Sequence, residues 1–266
     1  MKILASKEAR MSSALKTSAP KQKGIQSVEV GWEILHYLSD CPTPASLTAI
    51  GSALGMSPSK TFFYVTSFLR MGLITKDDDG LYRLGPSALN LGLAALAQVD
   101  AVDEARRAMA RIRSSVDHSI HLAVWGSAGP TVVHRLPALD WQLEVRLGAV
   151  FSPLTATGRS LMVSFPDSAV KKIIRDELAR SKPSDPWHNF SVEKAMRIFN
   201  EDRERGISRG FSSVDVAASS LAAPVRDQSG NAVAAITISG GKDTFDTSYD
   251  GTIAKALLAG VHGIGH

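Results

Sequence analysis

Residues 27–85 read SVEVGWEILHYLSDCPTPASLTAIGSALGMSPSKTFFYVTSFLRMGLITKDDDGLYRLG, and the order of signals in this stretch decides the fold. Val28, Trp32, Leu35 and Leu38, with Ile34 beside them, recur at helical spacing, predicting a first helix over 27–39 with Ser27 as its cap. Asp40-Cys41-Pro42 with Pro44 ends it. Ser46–Leu54 predicts a short second helix burying Leu47, Ile50 and Leu54. Gly55-Met56-Ser57 makes a turn, and Ser57 before Pro58 is a cap followed by proline at the first helical position, where no N–H is needed. The third helix runs to about Met71 with Phe62, Val65, Phe68 and Leu69 inward. Leu73–Lys76 and Leu81–Leu84, joined by Asp77-Asp78-Asp79-Gly80, predict a β-hairpin. Three helices, a glycine turn before the third and a closing hairpin form the winged helix-turn-helix pattern. The competing reading is a small helical cap domain with an accidental hairpin.

Outward from this segment the pattern changes. After Gly85-Pro86, a helix through Leu89, Leu93 and Leu96 leads to a second over Val102–Val116, together a connector. Strands are predicted at Ile120–Trp125, Thr131–Leu136 and Glu144–Leu147, then helices around Gly158–Phe165, Ala169–Ala179 and Val192–Arg205. Ser219–Arg226 and Ala232–Ser239 flank the turn Asp227-Gln228-Ser229-Gly230, and Tyr249–Val261 closes the chain as a helix. Strands, helices, then a hairpin is an α+β order, without the regular alternation of a doubly wound sheet. The organisation expected is a basic tail (1–24), a winged helix-turn-helix (25–85), a linker helix (86–100) and a larger domain (101–266).

Composition narrows the function. The 266 residues include 44% hydrophobic and 21% charged, an ordinary globular balance. The single cysteine, Cys41, fits a reducing compartment. The longest apolar stretch, around Leu89–Val99, is interrupted by Asn90 and Gln98 and falls short of the roughly 20 residues of a bilayer span. Charges and serines break up Met1–Lys23, so no signal-peptide core is expected and the chain is placed in the cytoplasm, away from membranes. The net charge of +4 is unevenly placed: residues 1–24 carry +5, residues 25–85 carry −2 and the remainder +1. Such a basic tail reads either as a flexible, solvated end or, next to a DNA-binding motif, as a phosphate-contacting arm, and the motif favours the arm.

The segments GIQSVEVGWEILHYLSD and LTAIGSALGMSPSKTFFYVTSFLRMGLITKDDDGLYRLGPSALNLG resemble the N-terminal domain of IclR-type bacterial transcriptional regulators. The similarity continues through HLAVWGSAGPTVVHRLP, LGAVFSPLTATGRSLMVSFP and SLAAPVRDQSGNAVAAITISGG, in the right order and spacing. This resemblance implies a winged helix-turn-helix, a linker helix and a GAF-like α/β effector-binding domain, assembled as a dimer or dimer of dimers. It also implies a double-stranded DNA operator and a small organic or aromatic acid as effector.

A recognition helix sets its N-terminal side chains on base edges while its flanks clamp phosphates. The DNA-contacting candidates are Ser57, Ser59, Lys60, Thr61 and Tyr64, with Arg70, Lys76 and Arg83 near the backbone. Relatives commonly carry His-Arg where this chain has Phe62-Phe63, which removes a cation from the reading face. Two readings follow: tail and wing supply the missing phosphate contacts, or the winged domain is vestigial and the chain binds a small molecule or partner only. Carried over by position, the effector site comprises Leu154, Thr155, Ala156 and Thr157, then Ser220, Thr237 and Ser239. Hydroxyls and free backbone N–H groups at a helix N-terminus suit a carboxylate, though the same residues also serve as caps and sheet pairs. Ser220 stands where many relatives have cysteine, Phe211 near a position often acidic, and Ala217 where glycine is common. The 152–157 loop is about one residue shorter than usual. These departures imply a more apolar pocket, suited to an aromatic acid.

Catalytic patterns are weak. Ser57-Pro58-Ser59-Lys60 matches the S-x-x-K of serine acyl enzymes, but the companion elements are missing. His118 and His121 lie three apart on a strand and face opposite sides, which is poor metal geometry. Gly240-Gly241-Lys242 lacks the frame of a phosphate loop. No catalytic site, metal or cofactor is expected. Deleting residues 1–22 should weaken DNA binding and lower its salt slope by roughly one for each phosphate that the tail neutralises, measured as affinity against salt concentration.

Overall fold

The computed structural model describes residues 24–98, 101–138, 145–210 and 218–262. The basic tail up to Lys23, Glu144, Phe211 and Ala217 lie outside the described residues. The chain divides into two compact units, Met1–Gln98 and Val99–His266, each described by itself.

The first unit contains α1 (Gln26–Asp40), α2 (Leu47–Ala53), α3 (Pro58–Arg70), β1 (Ile74–Lys76), β2 (Tyr82–Leu84) and α4 (Pro86–Ala97). Gly55 turns the chain between α2 and α3 at φ 65°, a left-handed conformation glycine adopts without steric cost. Ser57 then caps α3, its Oγ accepting the Lys60 N–H. The wing strands pair antiparallel, Ile74 opposite Leu84 and Lys76 opposite Tyr82. Asp77 closes the wing turn by accepting the Leu81 N–H. Ala45 ties the α1–α2 connection to Tyr82 by a two-way backbone bridge.

The core of this unit is Ile34, Leu38, Ile50, Val65, Phe68, Ile74 and Tyr82. Two helical phases differ from expectation. α1 buries Gly31, Ile34 and Leu38, while Val28 and Trp32 are exposed and Leu35 is only partly covered. The reason is Gly31, where the missing side chain admits the Phe68 ring: a Cβ there would lie 2.9 Å from it. α3 buries Thr61, Val65 and Phe68, leaving Phe62 exposed. Leu47 and Leu54 reach the core only as partly buried neighbours. Ile25, with no side-chain bond, occupies the cap position of α1, and Ser27 lies inside the helix.

The second unit contains α5 (Ala101–Arg113), β3 (Ser119–Gly126), β4 (Gly129–Leu136), α6 (Ala156–Met162), α7 (Asp167–Leu178), α8 (Val192–Arg205), β5 (Ser208–Arg209), β6 (Ala218–Arg226), β7 (Ala232–Gly241) and α9 (Thr252–Val261). Its five-stranded antiparallel sheet has the order β4-β3-β7-β6-β5. Alternation puts Ile120, Leu122, Leu221, Ala223, Ile236 and Ile238 on one face, where α5 and α9 pack. α5 thus covers a sheet instead of acting as a connector. On the other face Ala123 and Ala235 meet Leu161 of α6, with α7 and α8 packed beyond.

Glu144–Leu147 is not the expected strand over its described part, 145–147. Backbone bonds fall later instead, from Phe151 N–H to Pro130 and through a Thr131–Val150 bridge, because the turn at Gly148 delays the return of the chain. The β6–β7 hairpin closes as read, with the Asp227 carboxylate accepting from Ser229 and Asn231 and Gly230 at φ 81°. β5 had no counterpart in the sequence reading. Among the described residues no helix is long and apolar enough to cross a membrane.

Beneath α6 lies a buried ion pair. Arg159, 1% exposed, donates from Nε to Asp202 Oδ2 at 2.6 Å and from its other nitrogens to the carbonyls of Leu154 and Arg209. Burial pushes the Asp202 carboxyl above its ordinary range, and the Arg159 guanidinium opposes that shift. Replacing one member of such a pair leaves the other charged and unpaired. Arg159→Met should therefore destabilise the second unit by about 3–5 kcal/mol in urea unfolding, and adding Asp202→Leu should recover much of the loss.

Candidate functional site

The eight residues assigned to DNA contact do not share one environment. Ser57, Ser59 and Lys60 are exposed together at the N-terminus of α3, and Arg70 is exposed at its far end. Lys76 and Arg83 are exposed on the wing, Lys76 Nζ lying 5.7 Å from the Tyr82 ring centroid. Thr61 is fully buried: it packs against Gly51 of α2 and its Oγ1–H donates to the Ser57 carbonyl at 3.0 Å. Its hydroxyl serves the helix junction and is withdrawn from any base edge. Tyr64 is half-buried against the core. α3 itself carries Lys60 and Arg70 and no acidic residue; among the described residues of this unit the carboxylates sit on α1 and the wing turn. The reading helix is therefore basic although the segment around it is net negative.

The effector candidates converge more closely. Register places Ser119 and His121 of β3, Thr237 and Ser239 of β7 and Ser220 of β6 on the sheet face beneath α6. Thr157 reaches down from α6, its Oγ1 lying 2.8 Å from Thr237 Oγ1 and 3.3 Å from His121 Nε2. The Phe151 ring stands edge-on to His121, centroids 5.3 Å apart. Buried polar atoms normally find partners, yet His121 Nδ1 and Ser239 Oγ have none among the described residues. Ala156 is buried beside Thr157. Burial holds the His121 imidazole neutral, its pKa pushed down to about 4.

Two of the carried-over residues serve the loop. Thr155 caps α6, its Oγ1 accepting from Gly158 N–H and donating to the Ser152 carbonyl. Leu154 points into the α7–α8 core, and its carbonyl accepts from Arg159. α6 also begins two residues earlier than read, because Thr155 takes the cap.

His121, Ser119 and Phe151 belong to the same cluster but were not among the residues assigned from the sequence. The period-two alternation of Ser119-Ile120-His121-Leu122 was the available signal, since it puts two polar side chains on one face between buried aliphatics. Ser119 Oγ is already engaged, accepting from Ala138 N–H. Among the described residues no group of three or more His, Cys, Asp or Glu could hold a metal ion.

A winged helix-turn-helix joined to a sheet-and-helix unit with a buried polar layer defines a class of two-part transcriptional regulators. The family model described as "Bacterial transcriptional regulator IclR C-terminal" matches residues 93–266, and that of the "IclR helix-turn-helix domain" matches residues 27–78. The chain belongs to the IclR family of DNA-binding transcriptional regulators. It is 24% identical to the HTH-type transcriptional repressor AllR of Salmonella typhimurium, over 82% of this chain and 81% of that protein. The crystal structure of Pseudomonas aeruginosa HmgR matches with 29% identity and TM-score 0.54, covering 91% of this chain and 97% of the other. An IclR homologue from Microbacterium hydrocarbonoxydans, complexed with 4-hydroxybenzoate, matches at 18% identity and TM-score 0.75, covering 89% and 96%.

The buried His121 has a thermodynamic signature. Its folded pKa of about 4 lies below the ordinary 6.5, so the unfolded chain binds the extra proton between those values. Its contribution to stability is complete above about pH 6.5 and is lost as pH falls toward about 4, near 2 kcal/mol by about pH 5. Urea unfolding across this range should show that loss, and His121→Gln should flatten it.

Proposed function

We propose that this regulator is controlled by a small organic acid, and that the acid is aromatic and bears a hydroxyl group. The observation that carries this reading is the pair of unpartnered polar atoms, His121 Nδ1 and Ser239 Oγ, beside the Thr157–Thr237 hydroxyl pair. The Phe151 ring supplies an apolar, aromatic edge to the same cluster. Buried groups without partners among the described residues favour a ligand that completes them. The neutral imidazole offers one donor and one acceptor, which suits a ligand carrying both kinds of polar group. The related protein bound to 4-hydroxybenzoate supports the ligand class.

The exposed apolar side chains of Ile25 at the cap of α1, Val28 and Trp32 on α1, and Leu89, Leu91 and Leu93 on α4, support a homo-oligomer in which a second copy covers them. A dimer would also present two reading helices to a two-fold operator. The family's membership among transcriptional regulators supports reading the chain as a regulator without enzymatic activity, and the cytoplasm is where such a protein meets its operator. In this reading Ser57, Ser59, Lys60, Arg70, Lys76 and Arg83 contact DNA.

Titration calorimetry of the full chain with 4-hydroxybenzoate and with glyoxylate tests the ligand class. The aromatic acid should bind, with His121→Phe and Ser239→Ala each weakening it about five- to tenfold. Binding of glyoxylate alone, or an affinity in both variants unchanged from the natural protein, would refute the assignment. A gel shift against the upstream region of its own gene, with and without the acid, should show a ligand-dependent change.

A further inference from the structure

The outward face of α3 carries two phenylalanines that the core of their own unit does not use. Phe62 is 52% exposed and Phe63 70% exposed, and their rings stand edge-to-face with centroids 6.4 Å apart. Thr61, Val65 and Phe68 form the buried stripe. At 100° per residue, Ser59, Phe63 and Arg70 lie on the opposite side of the helix, with Phe62 flanking them. Lys60 and Arg70 bracket the pair, and α3 has no carboxylate. This charge pattern complements a polyanion, while the rings complement an apolar surface, so the occupant must offer both.

A major groove offers both at one kind of base. Each base edge there presents hydrogen-bond donors or acceptors, and thymine alone adds a C5-methyl group. A phenyl ring has no hydrogen bond to give, so covering a purine edge or a cytosine amine would leave that group dry and unpaired. Covering a thymine methyl removes two apolar surfaces from water together. The 6.4 Å between ring centroids spans about two base steps of roughly 3.4 Å along one strand.

We propose that Phe62 and Phe63 are specificity-determining residues that read the C5-methyl groups of thymines one or two steps apart in each operator half-site. Lys60 and Arg70 hold the phosphates on either side. The inference rests on the DNA-binding reading of α3 and adds a base preference to it. The two rings thereby take over by methyl contact what a cation on the same face would do by hydrogen bonding to guanine.

The experiment begins with selection of binding sites by the full chain from a random duplex library at low salt. Each thymine of the selected site is then replaced by deoxyuridine, which removes the methyl group and keeps the pairing. At the read positions the natural protein should lose about fourfold in affinity per methyl, with an unchanged salt slope. Phe62→Ala and Phe63→Ala should bind the thymine site more weakly and be indifferent to deoxyuridine at the position each reads. Equal affinity of the natural protein for the thymine and all-deoxyuridine duplexes would overturn the proposal and leave DNA binding intact. Failure to enrich any sequence would refute the DNA-binding reading itself. Sedimentation of Phe62→Ser and Phe63→Ser supplies the remaining arm: a lower oligomeric state would make this face a contact between copies and overturn methyl reading.

Discussion

The second unit depends on one buried cation. Arg159 lies where water does not reach and its guanidinium is shared among Asp202, the Leu154 carbonyl and the Arg209 carbonyl. Those three acceptors belong to α8, to the loop entering α6 and to the edge strand β5. One side chain therefore fixes the loop that precedes Thr155 and Thr157 relative to the strand that pairs with β6. A planar fork suits this task better than an ammonium, because its donors diverge at fixed angles. Gly158 belongs to the same constraint: a Cβ there would lie 2.5 Å from the Pro153 carbonyl oxygen, so loop and helix touch backbone to backbone.

With the loop so held, the chemistry beneath α6 follows from strand register. Antiparallel pairing sets His121 opposite Thr237 and Ser239 opposite both Ser119 and Ser220. Three strands whose same-face neighbours include Ala123, Ala222 and Ala235 thus gather hydroxyls and an imidazole on one face. Alanines 123 and 235 keep α6 near enough for Thr157 to reach them. The layer is polar and buried, and among the described residues two of its atoms, His121 Nδ1 and Ser239 Oγ, have no hydrogen-bond partner.

What the sequence made legible was what local chemistry controls. The wing turn at Asp77–Gly80 and the hairpin turn at Asp227–Gly230 closed as read, because an Asx side chain and a positive-φ glycine act within four residues. The cap at Ser57 was legible for the same reason. Rotational phase was not. Apolar residues at 61–65 admit two phases about one residue apart, and contact with Gly51 selects the one that buries Thr61 and turns Phe62 outward. In α1 a glycine at the N-terminal end of the buried stripe hid the true face. Of the buried polar cluster beneath α6, position in the family pointed to Thr157, Thr237 and Ser239 but not to His121, whose place there depends on register across three strands. Leu154 and Thr155 were near the site in sequence yet hold the loop through a core side chain, a carbonyl and a cap.

α4 buries none of its residues although all but Ser87 and Asn90 are nonpolar. Burial within its own unit therefore does not account for the apolar character of this helix. Stability and fitness come apart along this helix: a polar side chain at Leu91 takes nothing from the core of an isolated copy, and solvates it better. In the proposed homo-oligomer the cost falls on the copy that covers Leu91. A map of tolerated substitutions would therefore outline this helix more sharply than any unfolding measurement on the single chain.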